Sequence, residues 1–417
     1  MQRKPHPAFS SDNGIEPILE KYMVRNLHAC MAALLALGMS VPAAAANNDP
    51  VILVHGFLGF GPDTFEHSGF NYWGGYGDIA SHMQVYRGPR TVFAAVVGPV
   101  SSNWDRAADL YAQIKGGCVD YGAAHVRKRG LPGQQQRPSG KCWAADPKNN
   151  PENYPLALYP AWDADHPVHF IGHSQGGTTI RALVELLEHG SPDDEGGHEL
   201  FKGGKVGWVR SVTTISTPHN GTTFADAVLN VTPSLQTPLG DVLKNRWANW
   251  ELSPDGAREF NAWARTSPHI YWYSVGTVAT EAGAWCCNAT DRVIAPIQTT
   301  YHQYPRLDMI PAFKPMAGEW IVPSALQRGL GGYTQQTTGR VRIDSDWFPN
   351  DGVVNTVSMR SPAGHPVREF DGKSVKGCWN FLGNQQGYDH FDILNWPNPG
   401  PSANPLYERI SDIIFAL

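Results

Sequence analysis

Gly172-His173-Ser174-Gln175-Gly176 sets a serine midway between two glycines. Small residues on both sides let a strand and a helix approach closely enough for a sharp turn that lifts the hydroxyl above a sheet edge. The flanks fit that geometry. Val168 to Ile171 is an apolar run of β-formers, and Ile180, Leu183, Val184 and Leu187 recur at i, i+3, i+4 and i+7, which is a buried helical stripe. A helix starting just after the serine aims backbone N–H groups and the positive end of its dipole at the place where a carbonyl oxygen would become an oxyanion. The spacing therefore predicts an acyl-transfer site.

A serine hydroxyl is a poor nucleophile unless a base takes its proton, and the base needs a carboxylate to hold the right tautomer. In strand–turn–helix sites of this kind the order along the chain is Ser, then Asp or Glu, then His. His390, in Gly387-Tyr388-Asp389-His390-Phe391-Asp392, lies near the C-terminus, where the base belongs. Asp351, in Asn350-Asp351-Gly352-Val353-Val354-Asn355, sits in a turn leading into an apolar run and is the chosen acid. Asp344, Asp346 and Asp371 read as solvated loop carboxylates, and Asp389 and Asp392 stand too near His390 in sequence. His219 and His365 are weaker candidates for the base. For the oxyanion, the apolar run Val51 to Val54 ends in His55-Gly56-Phe57, so the expected donors are the N–H groups of Phe57 and Gln175. His55 and His173 read as structural histidines that fix their loops by hydrogen bonding.

The elements that must position these residues alternate along the chain. Val51 to Val54 has the continuous apolar character of a strand buried on both faces. Strands are also expected over 91–97, 209–215 and 270–275, and a helix over 104–114. Lys128 to Pro160, rich in Gly, Pro, Gln and Asn, reads as a surface excursion between sheet strands. A helical cap over the sheet's carboxyl edge is expected at about 220–262. The alternation predicts one α/β domain, 47–417, with a mainly parallel central sheet and flanking helices.

Composition narrows the classes. Of 417 residues, 41% are hydrophobic and 17% charged, with a formal net charge of −5 and no basic stripe, so nucleic acid is not an expected partner. The first 46 residues read as an N-terminal extension and signal peptide: Arg25, the apolar core Met31 to Met39, and Ala43 to Ala46 as the cleavage region. That apolar run is too short to span a membrane. Met23 lies just before the charged region, so 1–22 reads as an upstream extension. A secreted chain, extracellular or periplasmic, permits disulfides among Cys118, Cys142, Cys286, Cys287 and Cys378. Their connectivity is not readable from the sequence. One candidate set pairs Cys118 with Cys142 and Cys378 with one of the adjacent cysteines.

Taken together, several motifs resemble the secreted Bacillus/Geobacillus lipases (bacterial lipase family I.5) and their staphylococcal relatives. They are Val54-His55-Gly56-Phe57, Phe70-Asn71-Tyr72-Trp73-Gly74-Gly75, Gly98 to Arg106, Gly116 to His125, the Gly-His-Ser-Gln-Gly-Gly turn, Thr213 to His219, Asn350 to Asn355, and Asp389-His390. The resemblance runs in order over nearly all of 47–417. It implies an α/β-hydrolase fold and a triacylglycerol lipase activity on lipid or other esters, with contact to a lipid interface. Ser174, Asp351 and His390 would be the triad, Phe57 and Gln175 the oxyanion hole, and no cofactor would be needed for the chemistry. It also implies a structural zinc site: Asp105 and His125 match two of the four ligands and Glu251 replaces a third, while Leu131 stands at the remaining position. Three donors leave that site weakened, lost or completed by water. The resembled calcium site keeps at best Asp392, with no carboxylate in Pro397-Asn398-Pro399, so the resemblance gives calcium little support. The segment that holds a long helical lid in those lipases is about half as long here, which leaves room for short-chain carboxylesters or polyesters as substrates. The reading from another class is a non-catalytic binding protein on the same fold.

Overall fold

A computed structural model describes residues 47–61, 69–128, 141–194, 197–226, 246–283, 302–305, 333–396 and 402–417. The expected leader 1–46 and residues 227–245 of the expected cap lie outside them. The described elements, in order, are β1 (Val51–Val54), α1 (Ile79–Val85), β2 (Val92–Ala95), α2 (Asn103–Lys115), β3 (Gly117–Cys118), α3 (Ala123–Lys128), β4 (Cys142–Trp143), β5 (Val168–His173) and α4 (Gln175–His189). They continue with β6 (Val209–Ile215), α5 (Arg246–Leu252), α6 (Pro254–Trp263), β7 (Tyr271–Val278), β8 (Thr280–Gly283), β9 (His302–Pro305), β10 (Val367–Glu369), β11 (Trp379–Gln386) and α7 (Asn404–Ile414).

The main sheet has seven strands in the order β10-β11-β7-β6-β5-β1-β2. Every pairing within it is parallel. Each face is covered, which explains the unbroken apolar run of β1. Ile52 and Val54 join one core, while Val51 and Leu53 join the other. All four are fully buried, each contributing roughly 1.5–3 kcal/mol relative to exposure. Helices α2 and α4 pack together on the first face, and α1 and α7 on the second. Helix α2 starts at Ser102, whose hydroxyl accepts from Asp105 N at 3.2 Å and so satisfies one of the helix's orphan donors.

The expected strand at 270–275 runs on to Val278, and β10, β11 and α7 add to the expected elements. Strand β11 escapes a periodicity reading because only its first half, Trp379 to Leu382, is buried, and its second half is polar and partly exposed. The surface excursion is anchored by the two-stranded β3–β4 pair, in which Cys118 and Cys142 form a disulfide. Cys286 and Cys287 lie outside the described residues.

Strand order fixes where a site can form. From β1 the chain steps outward to β2, whereas from β5 it steps the other way through β6 to β7. Such a reversal between neighbouring parallel strands opens a crevice at their carboxyl ends. The Phe57 loop leaves β1 there, and Ser174 leaves β5.

The turn after β5 is sterically full. A Cβ at Gly172 would lie 2.6 Å from Gly177 N, one at Gly176 would run into the Val54 carbonyl oxygen, and one at Gly177 into Thr217 Oγ1. Gly176→Ala should therefore lower the unfolding free energy by about 1–3 kcal/mol or more, read by urea denaturation. An unchanged midpoint would show that the β1–α4 contact is looser than described.

Candidate active site

Ser174 has φ 56° and ψ −130°, in the region that β-carbon-bearing residues avoid, at a cost on the order of 1–3 kcal/mol. Its backbone is held there by Ser174 N donating to Ile215 O at 2.9 Å and by Thr217 Oγ1 donating to Ser174 O at 2.9 Å. Although Ser174 is the N-cap of α4, its hydroxyl makes no capping bond. The helix forgoes a stabilisation of about 1 kcal/mol, and Oγ stays uncommitted. Gln175 opens α4, so its N–H has no intrahelical acceptor. Its side chain instead donates to Ser101 O at 3.0 Å, tying the helix start to the loop before α2.

Asp351 is fully buried and collects donors: Val353 N and Val354 N on Oδ1 at 3.0 and 2.8 Å, and Thr277 Oγ1 on Oδ2 at 2.7 Å. Oδ2 also meets His390 Nδ1 at 2.7 Å. The contact fixes Nδ1 as the protonated nitrogen and leaves Nε2 as the acceptor. His390 N donates to Asp351 O at 3.0 Å, so the two residues are joined by backbone as well as side chain. Among the described histidine–carboxylate pairs, this is the one in which both side chains are buried. A buried ion pair is the form that holds an imidazolium while a proton is in transit.

The rival histidines are engaged elsewhere. His55 accepts from Val97 N at Nε2 (3.2 Å) and meets Gly56 O through Nδ1 (2.9 Å); burial, then the charge of Arg106, lower its pKa to about 3. His173 is pushed well below the ordinary histidine value, chiefly by burial. His219 packs on Trp379 and bonds Thr214 Oγ1, and His365 lies between Thr266 and Asn261. Among the rival carboxylates, Asp346 and Asp371 are exposed and Asp344 caps a short turn. Asp389 and Asp392 are buried. Asp389 Oδ1 accepts from the N–H groups of Phe391 and Asp392, and Asp392 Oδ2 accepts from Asp389 N. Burial, then the charge of Asp392, pushes Asp389 well above the ordinary carboxylate range, and burial, then Asp351, raises Asp392.

Three positioning residues were given no role by the sequence reading, although Tyr72 and Arg106 lie within motifs it quotes. Thr277, at the end of β7, anchors Asp351; its place at a strand's carboxyl end was the available signal. Tyr72 packs between the loops after β1 and β11, on His55 and Trp396, and against His173 at the end of β5. Arg106 of α2 is fully buried and holds the carbonyls of Gly98 (2.8 Å), Gly56 (3.4 Å) and His55. Gripping Gly56 O fixes the peptide plane that also carries Phe57 N–H, because the two groups point in opposite directions across a trans amide. Burial lowers the Arg106 pKa to about 10, which keeps it charged at neutral pH.

Two of the residues expected to ligate zinc meet directly. Asp105 Oδ1 lies 3.3 Å from His125 Nε2, and the His125 ring stacks on Trp104 with centroids 4.4 Å apart. Glu251 Oε2 accepts from Asn103 N at 2.6 Å, serving the start of α2. Among the described residues no group of three or more His, Cys, Asp or Glu is placed to hold a metal. Leu131 lies outside the described residues. Pro397 to Pro399, where the resembled calcium site would need a carboxylate, also lie outside them.

A strained serine with a free hydroxyl, an imidazole with a free Nε2 and N–H donors at a helix start can together move a proton and receive an oxyanion. Asp351→Asn should slow labelling of Ser174 by a fluorophosphonate on the order of 10³- to 10⁴-fold, because the amide favours the wrong His390 tautomer. Labelling at the wild-type rate would remove Asp351 from that role.

Comparison with known proteins places the chain in a family. Residues 47–254 match the family model described as "Lipase-like, C-terminal domain". The chain is 31% identical over 410 residues to a lipase of Staphylococcus hyicus, covering 90% of this chain and 59% of that protein. It thus spans only part, about three fifths here and 50% for a Staphylococcus epidermidis lipase, of the curated relatives it matches. Among solved structures it is similar to EstA from Clostridium botulinum, with a TM-score of 0.70, 31% identity, and 91% of this chain and 90% of that one covered. It is also similar to lipase 1 from Pelosinus fermentans, with a TM-score of 0.66, 32% identity, and coverages of 89% and 99%.

Proposed function

The chain belongs to the lipase-like family of these relatives, an α/β-hydrolase family, and from that premise we propose that it is a carboxylic ester hydrolase of the triacylglycerol lipase type. The observation that carries the reading is the Asp351–His390 contact at 2.7 Å at the same carboxyl edge as the strained, uncommitted Ser174. In the proposed cycle His390 Nε2 takes the Ser174 proton as Oγ attacks the ester carbonyl. The N–H groups of Phe57 and Gln175 receive the oxyanion, His390 then protonates the leaving alcohol, and water repeats the sequence on the acyl-enzyme. Losing one such donor would cost on the order of a hundredfold in turnover.

The substrate reading is a lipid ester, supported by the relatives named as lipases. On motif likeness alone we also propose kinship with the Bacillus/Geobacillus branch, and secretion on the pattern of residues 1–46. No described helix is long and apolar enough to cross a membrane. The shortened segment before Trp250 favours a second reading, a short-chain carboxylesterase or polyester depolymerase.

Initial rates on p-nitrophenyl esters from acetate to palmitate separate these readings. A maximum at medium or long chains, with activity reduced on the order of 10⁴-fold or more in Ser174→Ala, is the expected lipase result. Activity on short esters alone favours the second reading, and an unchanged rate in Ser174→Ala sinks both. A chelator should leave the rate on soluble esters unchanged, since no step passes through a metal.

A further inference from the structure

Tyr72 is 4% exposed and touches both halves of the candidate site. Gly56 N donates to its phenolic oxygen at 2.7 Å, and the same oxygen lies 2.7 Å from His173 Nδ1. On the far side of that ring, His173 Nε2 lies 3.0 Å from the carbonyl oxygen of His390. The chemistry of the two ends fixes every proton between them. A backbone N–H can only donate and a carbonyl can only accept. Tyr72 therefore accepts from Gly56 and donates its own hydrogen to His173 Nδ1, and the neutral ring donates Nε2–H to His390 O. A protonated His173 would turn Nδ1 into a donor facing the Tyr72 hydrogen. Burial, which lowers the His173 pKa and raises that of Tyr72, keeps both in the required form.

The ends of this chain are not arbitrary. Gly56 precedes the expected oxyanion donor Phe57, and a Cβ at Gly56 would lie 2.6 Å from Ser174 Cβ and 3.0 Å from Ser174 Oγ. His390 is the expected base, and its N–H is already committed to Asp351 O. We propose that Tyr72 is a positioning residue, whose hydrogen-bonded relay through His173 couples the oxyanion loop after β1 to the base loop after β11 and so sets the spacing between oxyanion donor and imidazole. The proposal rests on the ester-hydrolase reading. Misplacement of a reacting group by about 1 Å costs on the order of a hundredfold in rate, so one hydroxyl at this junction has leverage on kcat that an ordinary buried bond lacks.

The test compares wild type, Tyr72→Phe, His173→Phe, their double variant and Ser174→Ala on p-nitrophenyl acetate, butyrate and octanoate. Tyr273→Phe, which loses a hydroxyl bonded to Ser374 Oγ at 2.6 Å, is the control for a buried bond outside the relay. The expected result for Tyr72→Phe is a roughly ten- to hundredfold drop in kcat, KM within about twofold, and the same factor for all three acyl chains. His173→Phe should show a similar loss, and the double variant little more than either single change, because one relay can be broken only once. Tyr273→Phe should lower the melting temperature and leave kcat alone. A folded Tyr72→Phe with near-wild-type kcat, a loss confined to KM or graded with chain length, or additive losses would overturn the relay. If Tyr72→Phe does not fold, His173→Phe decides by the same kcat-against-KM criterion. An inactive wild type or an active Ser174→Ala would instead overturn the ester-hydrolase reading.

Discussion

The steric fit of the β5–Ser174–α4 reversal is the constraint on which the rest of the site depends. The chain turns from a strand buried on both faces into a helix packed against β1, and there is no room for a side chain at Gly172, Gly176 or Gly177. Ser174 is left with a backbone conformation that its own Cβ disfavours. The surroundings that hold it, Ile215 O at the end of β6 and the Thr217 hydroxyl, belong to the neighbouring strand and its loop. Strain at one residue is thus carried by the parallel sheet as a whole. The reward is geometric: the hydroxyl is released from capping while the helix start keeps its unpaired N–H groups.

Electrostatics then separates one histidine from its neighbours. His55 and His173 lie within the same dry interior, and both are driven neutral, by burial first and by Arg106 or His390 second. Neutral rings make good fixed connectors because each has one donor and one acceptor. His390 differs by its buried carboxylate partner, Asp351, at 2.7 Å. Arg106 adds a permanent charge beneath the oxyanion loop, where it holds carbonyls instead of a carboxylate. The carboxylates of Asp109 and Glu251 lie near enough to favour its charge against the cost of burial.

The sequence carried much of this arrangement because the decisive constraints are local. The glycines around Ser174, the apolar runs of β1 and β5 and the helical stripe of α4 each express a packing requirement within a few residues. Asp351 and His390 could be chosen by chain order because the sheet brings the carboxyl ends of β7 and β11 side by side, as their parallel pairing shows. Thr277, and the roles of Tyr72 and Arg106 within their motifs, were not legible for the opposite reason. Each works through a partner far away in sequence, 74 residues for Thr277 to Asp351 and 101 for Tyr72 to His173, and threonine, tyrosine and arginine carry no spacing rule. The polar outer half of β11 hid a strand for a related reason: past Leu382 it is an edge of the site more than a part of the core.

The metal question turns on the same distinction between local pattern and distant assembly. Asp105 and His125 match a ligand pattern by position, yet in the fold they face each other directly while Glu251 serves the N-terminus of α2. Through that contact Glu251 ties α5 to α2. The Cys118–Cys142 disulfide closes the same excursion covalently. A His125–Asp105 contact, a helix cap and a disulfide thus hold the corner on which the α2 face with Arg106 rests.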